Sequence, residues 1–191
     1  MSITNVDKVI EHVFDIFKKY GQSDYIGEEV TQTEHMVQTA MLAEEDKQDS
    51  ETIVGALLHD IGHLLVDVVD CKMMDKLGVL NHEGIGAKYL RKLGFKEKTC
   101  LIVENHVNAK RYLMYKNKSY NDNVSEASKQ TLKYQGGVFT KEQAELFEKS
   151  PYFSLYLVVR SYDEKAKDKN KKIKDIRYYY DHMKNSIKNN I

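Results

Sequence analysis

The sequence predicts an all-α protein, and three observations carry that prediction. Proline occurs once in 191 residues. β-Branched residues do not alternate with polar ones over any long window, and apolar residues recur at the three- and four-residue spacing of one helix face. The length suits one well-filled domain and is short for two, so the chain reads as a single helical bundle over 1–191.

Residues 5 to 20 carry Val6, Val9, Ile10, Val13, Ile16, Phe17 and Tyr20, a helical stripe that Gly21 is placed to end as a left-handed cap. In "TQTEH", Thr31 and Glu34 have the spacing of a capping box, which starts a second helix running from about 32 to 45. Residues 50 to 65 are apolar nearly all round, as the central helix of a bundle should be. "NHEGIGAKYLRKLGF" reads as a fourth helix stopped by Gly94, and residues 97 to 115 as a fifth. Thr140 with Gln143 forms another capping box. Ser150 and Pro151 read as the cap and first residue of a helix that runs to about 167.

The stretch "KNKSYNDNVSEASKQTLKYQGG" reads as a long polar loop, and loops of that length inside a compact domain are usually functional. The lysine-rich residues 165 to 174 read as a solvated helix face. The motif-bearing core spans about 20–167, with a helical tail over about 168–191.

Twenty-nine basic side chains balance 29 acidic ones, which argues against a nucleic-acid surface but not against a small anionic ligand. No apolar run approaches the roughly 20 residues that cross a bilayer, and "MSITNVDKVIEHVF" lacks the basic start and apolar stretch of a signal peptide. The expectation is a cytoplasmic protein without a membrane partner. Cys71 and Cys100 show no C-x-x-C pattern and read as reduced thiols.

"ALLHDIGHLL", residues 56 to 65, sets His59, Asp60 and His63 in an apolar run. Burying Asp60 uncompensated is costly, whereas a bound cation turns its charge to advantage. His35, His82, His106 and Asp163 recur in helical context elsewhere. One such histidine is more often a satisfied core residue than a ligand, but four imidazoles and two carboxylates together suit two first-row transition metals. They do not choose among iron, manganese and zinc. As neighbours on the predicted helix over 50 to 65, His59 and Asp60 point about 100° apart, so the imidazole can hold one metal while the carboxylate bridges to a second.

One helical turn from these residues stand groups that bind anions: His63 four after His59, Lys110 four after His106, Arg160 three before Asp163. Such spacings share a helix face. A guanidinium, an ammonium and an imidazole beside a dimetal centre describe a pocket for phosphate, phosphonate or carboxylate.

The pattern His35, His59-Asp60, His82, His106, Asp163 resembles the six-ligand form of the HD-domain superfamily. The longer strings "YIGEEVTQTEHMVQTAMLAEE", "NHEGIGAKYLRKLGF", "ENHVNAKRYL", "VSEASKQTLKYQGGVFTKEQAELFE" and "LVVRSYDEKAK" closely resemble the PhnZ-like, phosphonate-cleaving HD-domain oxygenases. The similarity to myo-inositol oxygenase is more distant.

That resemblance implies a mixed-valent Fe(II)/Fe(III) centre with O2 as co-substrate. By it, His35, His59, Asp60 and Asp163 hold one iron, and Asp60, His82 and His106 the other, with Asp60 bridging. It further implies that Tyr25 ligates iron in the resting enzyme and gives way on substrate binding, and that Glu28 receives the substrate's ammonium. His63, Lys110 and Arg160 would neutralise the phosphonate, with Ser128 and Thr131 on a covering loop. The implied reaction takes 2-amino-1-hydroxyethylphosphonate to glycine and phosphate, and an α-ketoglutarate-dependent hydroxylase would make that substrate.

Three other readings stand beside it. One is an oxygenase for the N-methylated or trimethylammonio analogue. The second is a metal-dependent HD phosphohydrolase of nucleotides or phosphate esters, in which a metal-bound hydroxide attacks phosphorus. The third, a helical module with a vestigial site, would require a ligand to be missing.

Overall fold

The computed structural model describes residues 5–25, 27–75 and 77–188. Those residues form helices α1 (Asn5–Tyr20), α2 (Gln32–Glu45), α3 (Ser50–Leu57), α4 (His82–Lys92), α5 (Glu97–Lys116), α6 (Lys118–Asn123), α7 (Glu126–Tyr134), α8 (Lys141–Phe147), α9 (Phe153–Lys165) and α10 (Tyr180–Ser186). Two 3₁₀ segments, Ile61–Leu64 and Ile176–Tyr179, complete the set. Among the described residues, β-pairing is confined to isolated bridges, so the chain is all-α as its pattern predicts.

α3 is the axis of the bundle. Thr52 to Leu57 are all buried, and the helix packs against α2, α5, α9 and α10, while α5 packs against α4 and α9. The α1 stripe closes one side through Ile10, Val13, Phe14 and Phe17. Both capping boxes form: Thr31 and Glu34 at the start of α2, Thr140 and Gln143 at the start of α8. The free cysteines are Cys71 and Cys100, and no described helix is long and apolar enough to cross a membrane.

The predicted helix over 50 to 65 is broken. α3 stops at Leu57, and His59 and Asp60 lie in the turn that leads into the 3₁₀ segment. Asp60 sits at φ −101°, ψ 10°, the sparsely allowed bridge region that active-site residues often occupy. Periodicity could not show the break, because Leu58, Ile61, Leu64 and Leu65 are buried on both sides of it.

The bend brings Gly62 onto the start of α4, where a Cβ on Gly62 would fall 2.0 Å from the His82 carbonyl oxygen. Since neither backbone can yield cheaply, Gly62→Ala is expected to lose more than about 2 kcal/mol of stability. It should also lose metal affinity, because His82 would move away from Asp60. Thermal unfolding with metal titration checks both.

Other elements differ locally. Gly21 has no positive φ; it is required because a Cβ there would meet Thr33 Oγ1 and the Phe17 carbonyl. The polar stretch after α5 is not a loop but the two helices α6 and α7. Their N-caps Asn117 and Ser125 accept from the amides that follow, and neither helix has a buried residue to mark it.

α9 begins at Phe153, so Ser150 and Pro151 belong to the preceding turn. It ends at Lys165, which leaves the lysine-rich stretch largely irregular and not a helix face. The described part of the predicted tail is core: Tyr179, Met183 and Ile187 are buried with α1 and α3, and the Ser186 carbonyl accepts from the Lys96 amide at 2.8 Å. Residues 1–4 and 189–191 at the two ends of the expected domain lie outside the described residues.

Candidate metal centre and anion pocket

Four histidines surround Asp60. His35 comes from the first turn of α2, His59 from the turn after α3, His82 from the start of α4 and His106 from the middle of α5. Each Nδ1 lies against a backbone carbonyl: Ala166 O at 2.9 Å for His35, Ala56 O at 2.8 Å for His59, Val79 O at 3.3 Å for His82 and Val103 O at 2.7 Å for His106. A carbonyl only accepts, so each Nδ1 carries a proton, and a neutral ring then presents a bare Nε2 lone pair.

The Nε2 atoms face one another in two pairs, His35 with His59 and His82 with His106, each at 3.1 Å. Where both rings are neutral, bare lone pairs at that distance repel, and a shared cation, proton or metal, removes the repulsion. The spacing suits neighbouring ligands on one ion with bonds of about 2.1 Å. Backbone carbonyls that fix ring tautomer and orientation are the usual second layer of a metal site.

Asp60 divides its oxygens between the pairs. Oδ2 lies 3.2 Å from His59 and 3.6 Å from His35, and Oδ1 lies 3.2 Å from both His82 and His106. That is the disposition of a bridging carboxylate. Asp163, on α9, adds Oδ1 at 3.4 Å from His35, and this buried oxygen has no hydrogen-bond partner.

The donor set therefore fits metal. His35, His59 and Asp163 group closely enough to share one ion. The spread of the Asp60 oxygens provides for a second.

Charge in the centre follows from this packing. Burial works against both carboxylates, but His59 with the neighbouring imidazoles holds Asp60 well below the usual range, and Arg160 does so for Asp163. Burial likewise opposes a charge on His59, yet Asp60 raises it to about 9. Protons thus compete with metal for the site, and metal binding releases them.

His63 is close enough to Asp60 and His82 to group with them as a ligand, but its own hydrogen bonding says otherwise. Its Nδ1 accepts from the Val79 amide at 3.0 Å, and its ring stacks on His82 with centroids 4.0 Å apart. Burial and the charge of His82 keep it neutral. The proton therefore stays on Nε2, which makes His63 a donor to an anion.

One cavity beside the metal site is lined by Tyr25, Glu28, Asp60, His63, His82, His106, Lys110, Ser128, Thr131, Arg160 and Asp163, with Gln32, Ser125, Gln135 and Lys167 among their neighbours. Lys110 is buried and donates to Thr131 Oγ1 at 3.0 Å and to the Ser128 carbonyl at 3.4 Å. Two of its three N–H groups are used, so one remains.

Arg160 is held by three partners: Nε donates to the Tyr120 hydroxyl at 3.0 Å, one terminal nitrogen to Asp163 Oδ2 at 2.6 Å, the other to Glu164. Two of its five N–H groups are left for a ligand. Tyr25 is half-buried and stacks flat on His35, with centroids 3.8 Å apart. Burial and the carboxylates of Asp163 and Asp60 hold its phenol well above the usual value, so it remains a phenol unless a cation draws off the proton.

Sequence reasoning missed three contributors: Tyr120 and Glu164, which fix Arg160, and Lys167, which pairs with Glu28 at 2.8 Å. Glu164 stands four residues after Arg160 on α9, a spacing that could have flagged it, whereas Lys167 lies past the end of that helix and no spacing marks it. The same-face argument for His59 and His63 fails, because those residues lie in a turn and a 3₁₀ segment.

The HD domain family matches residues 33–149. The uncharacterized protein L432 of Acanthamoeba polyphaga mimivirus is 44% identical over 178 residues, 92% of this chain and 81% of its own. The [1-hydroxy-2-(trimethylamino)ethyl]phosphonate dioxygenase (glycine-betaine-forming) of Leisingera caerulea is 40% identical over 167 residues, 87% of this chain and 84% of its own. The hydroxymethylphosphonate dioxygenase of Gimesia maris (strain ATCC 29201 / DSM 8797 / 534-30) is 35% identical over 178 residues, 93% of this chain and 88% of its own. The chain belongs to the HD-domain family, in its PhnZ-like oxygenase branch.

Proposed function

We propose that the protein is a mixed-valent Fe(II)/Fe(III) oxygenase that cleaves the C–P bond of 2-amino-1-hydroxyethylphosphonate to give glycine and phosphate. The observation that carries this reading is the pairing of two imidazole pairs across Asp60 with three anion-binding groups on the same cavity wall. The relatives named as phosphonate dioxygenases supply the substrate class. The stoichiometry closes with one O2 and no external reductant: the carbinol carbon becomes the glycine carboxylate, and phosphorus leaves as phosphate.

His35, His59, Asp60 and Asp163 would hold one iron and Asp60, His82 and His106 the other. The pair would supply stepwise electron transfer to O2 and Lewis acidity toward the phosphonate and its neighbouring hydroxyl. The side chains do the rest. His63 Nε2–H, the remaining Lys110 N–H and the two remaining Arg160 N–H groups would take phosphonate oxygens. α7, with Ser128 and Thr131 on the cavity, would keep water out. Tyr25 would ligate iron until substrate arrives. The 1-hydroxy group points to a preceding hydroxylation, which the resemblance assigns to an α-ketoglutarate-dependent enzyme.

The amine end favours a primary ammonium over the trimethylammonio group of the Leisingera relative's substrate. Apart from imidazoles, Tyr25 is the one aromatic ring among the described cavity residues, whereas Glu28 and the buried, unpartnered Gln32 Oε1 are hydrogen-bond acceptors. A quaternary ammonium donates no hydrogen bond and prefers aromatic walls.

Phosphate release from 2-amino-1-hydroxyethylphosphonate in air, and its loss under strict anaerobiosis, tests the reading. Anaerobic phosphate release from an ester would make the protein a phosphohydrolase instead.

The pocket also carries a pH signature. Burial, then the neighbouring Arg160, pushes Lys110 down to about 7. Below that pH its ammonium is ready for phosphonate; above it, binding must take up a proton. Affinity is therefore expected to fall with rising pH by up to about tenfold per unit above 7. Lys110→Met should bind more weakly and lose that slope. Anaerobic calorimetry in two buffers of different ionisation enthalpy reads both the affinity and the proton uptake.

A further inference from the structure

The acceptor proposed for the substrate's amine already has a cation on it. Lys167, in the irregular stretch just past α9, places Nζ 2.8 Å from Glu28 Oε1 and 3.3 Å from Ser125 Oγ. Both members of the ion pair are largely sheltered, at 14% and 17% side-chain exposure, so the pair is not one of the loose surface bridges found elsewhere on the molecule.

Three segments meet at this ammonium. Glu28 belongs to the turn that also carries Tyr25, closed by the Glu28 amide on the Tyr25 carbonyl at 3.0 Å. Ser125 is the N-cap of the covering helix α7. The residue before Lys167, Ala166, lends its carbonyl to His35 Nδ1. Lys167, Glu28 and Ser125 all line the cavity that holds the phosphonate-binding groups.

Resting on the phosphonate-oxygenase reading, we infer that Lys167 is a specificity-determining residue: it occupies Glu28 as a resident ammonium, which a substrate amine must displace and which a phosphonate lacking an amine leaves in place. An aminated phosphonate exchanges one ammonium for another at Glu28, so much of the attraction between carboxylate and amine goes into releasing Lys167. A phosphonate with no amine keeps the ion pair as the closed end of its pocket. Lys167 thus narrows the preference for amine-bearing substrates that Glu28 alone would impose, and the substrates for which the two relatives are named differ at this end, one carrying a trimethylammonio group and the other no amine.

The test is anaerobic calorimetry on iron-loaded protein with 2-amino-1-hydroxyethylphosphonate and hydroxymethylphosphonate as separate probes. In Lys167→Met, the ratio of affinities should move toward the aminated probe by about tenfold or more, the range for freeing one charge-assisted hydrogen bond. Lys167→Gln, which keeps a polar side chain, should move the ratio in the same direction if the methionine variant does not fold. In Glu28→Gln the preference should shrink, and adding Lys167→Met to it should change the ratio no further.

A ratio unchanged in the Lys167 variants, or shifted toward hydroxymethylphosphonate, overturns the inference. Equal weakening of both probes would do the same, since it would place Lys167 at the phosphonate end. If the unmodified protein binds neither probe, the failure belongs to the oxygenase reading and not to Lys167.

Discussion

Replacing Asp60 by alanine is expected to weaken metal binding at both halves of the centre by at least about 100-fold, and to abolish O2-dependent phosphate release. The reason is geometric. Among the described residues, Asp60 is the one side chain within 4 Å of the Nε2 atoms of all four imidazoles, with Oδ2 on one pair and Oδ1 on the other. Without it each pair keeps its two histidines, but the negative charge that compensates two cations is halved.

His35→Ala or His106→Ala should instead impair one half more than the other. Elemental analysis of the three variants after equal iron loading separates the cases. The histidine variants should retain about one ion per chain, and Asp60→Ala less.

Arg160 carries the second large effect. Its guanidinium sits between the metal centre and the anion pocket, bound to Asp163, Glu164 and Tyr120, and is almost wholly buried. Arg160→Lys keeps the charge but cannot make three separately directed contacts and still present two N–H groups to a ligand. A loss of about 10- to 100-fold in kcat/KM is expected, equivalent to one charge-assisted contact.

Arg160→Met goes further. It leaves Asp163 and Glu164 without their cation and should lower stability by about 3 to 5 kcal/mol in metal-free protein. Bound metal should restore part of that loss, because it neutralises Asp163. Steady-state kinetics on the lysine variant and denaturant unfolding of the methionine variant, with and without metal, check the two effects.

How much of this was visible in the sequence depends on what each residue does locally. Ionisable residues in an apolar run are rare enough that His59 and Asp60 stood out, His35, His82, His106 and Asp163 stood out by recurring with them in helical context, and the fold brings all six together. Lys110 and Arg160 were found through helical spacing on α5 and α9, where the chain really is helical.

The same logic reached the right neighbourhood for the wrong reason at His63. The helix it assumed breaks after Leu57, and an unbroken apolar pattern hides a break when both sides are buried. α6 and α7 were illegible for the opposite reason: lying over the site with no buried face, they present no stripe to read. Lys167 looked like one of many surface lysines, and only the tertiary approach of Glu28, 139 residues away in sequence, distinguishes it.

In the proposed function Asp60 would bridge a dinuclear, mixed-valent iron centre at which the phosphonate binds. Iron content combined with EPR, on iron-loaded protein before and after addition of 2-amino-1-hydroxyethylphosphonate, tests it most directly. The expected result is about two irons per chain and an antiferromagnetically coupled Fe(II)/Fe(III) signal that shifts when the phosphonate is added. A site that takes up one ion only, or an iron-loaded site whose signal ignores the phosphonate, would contradict it.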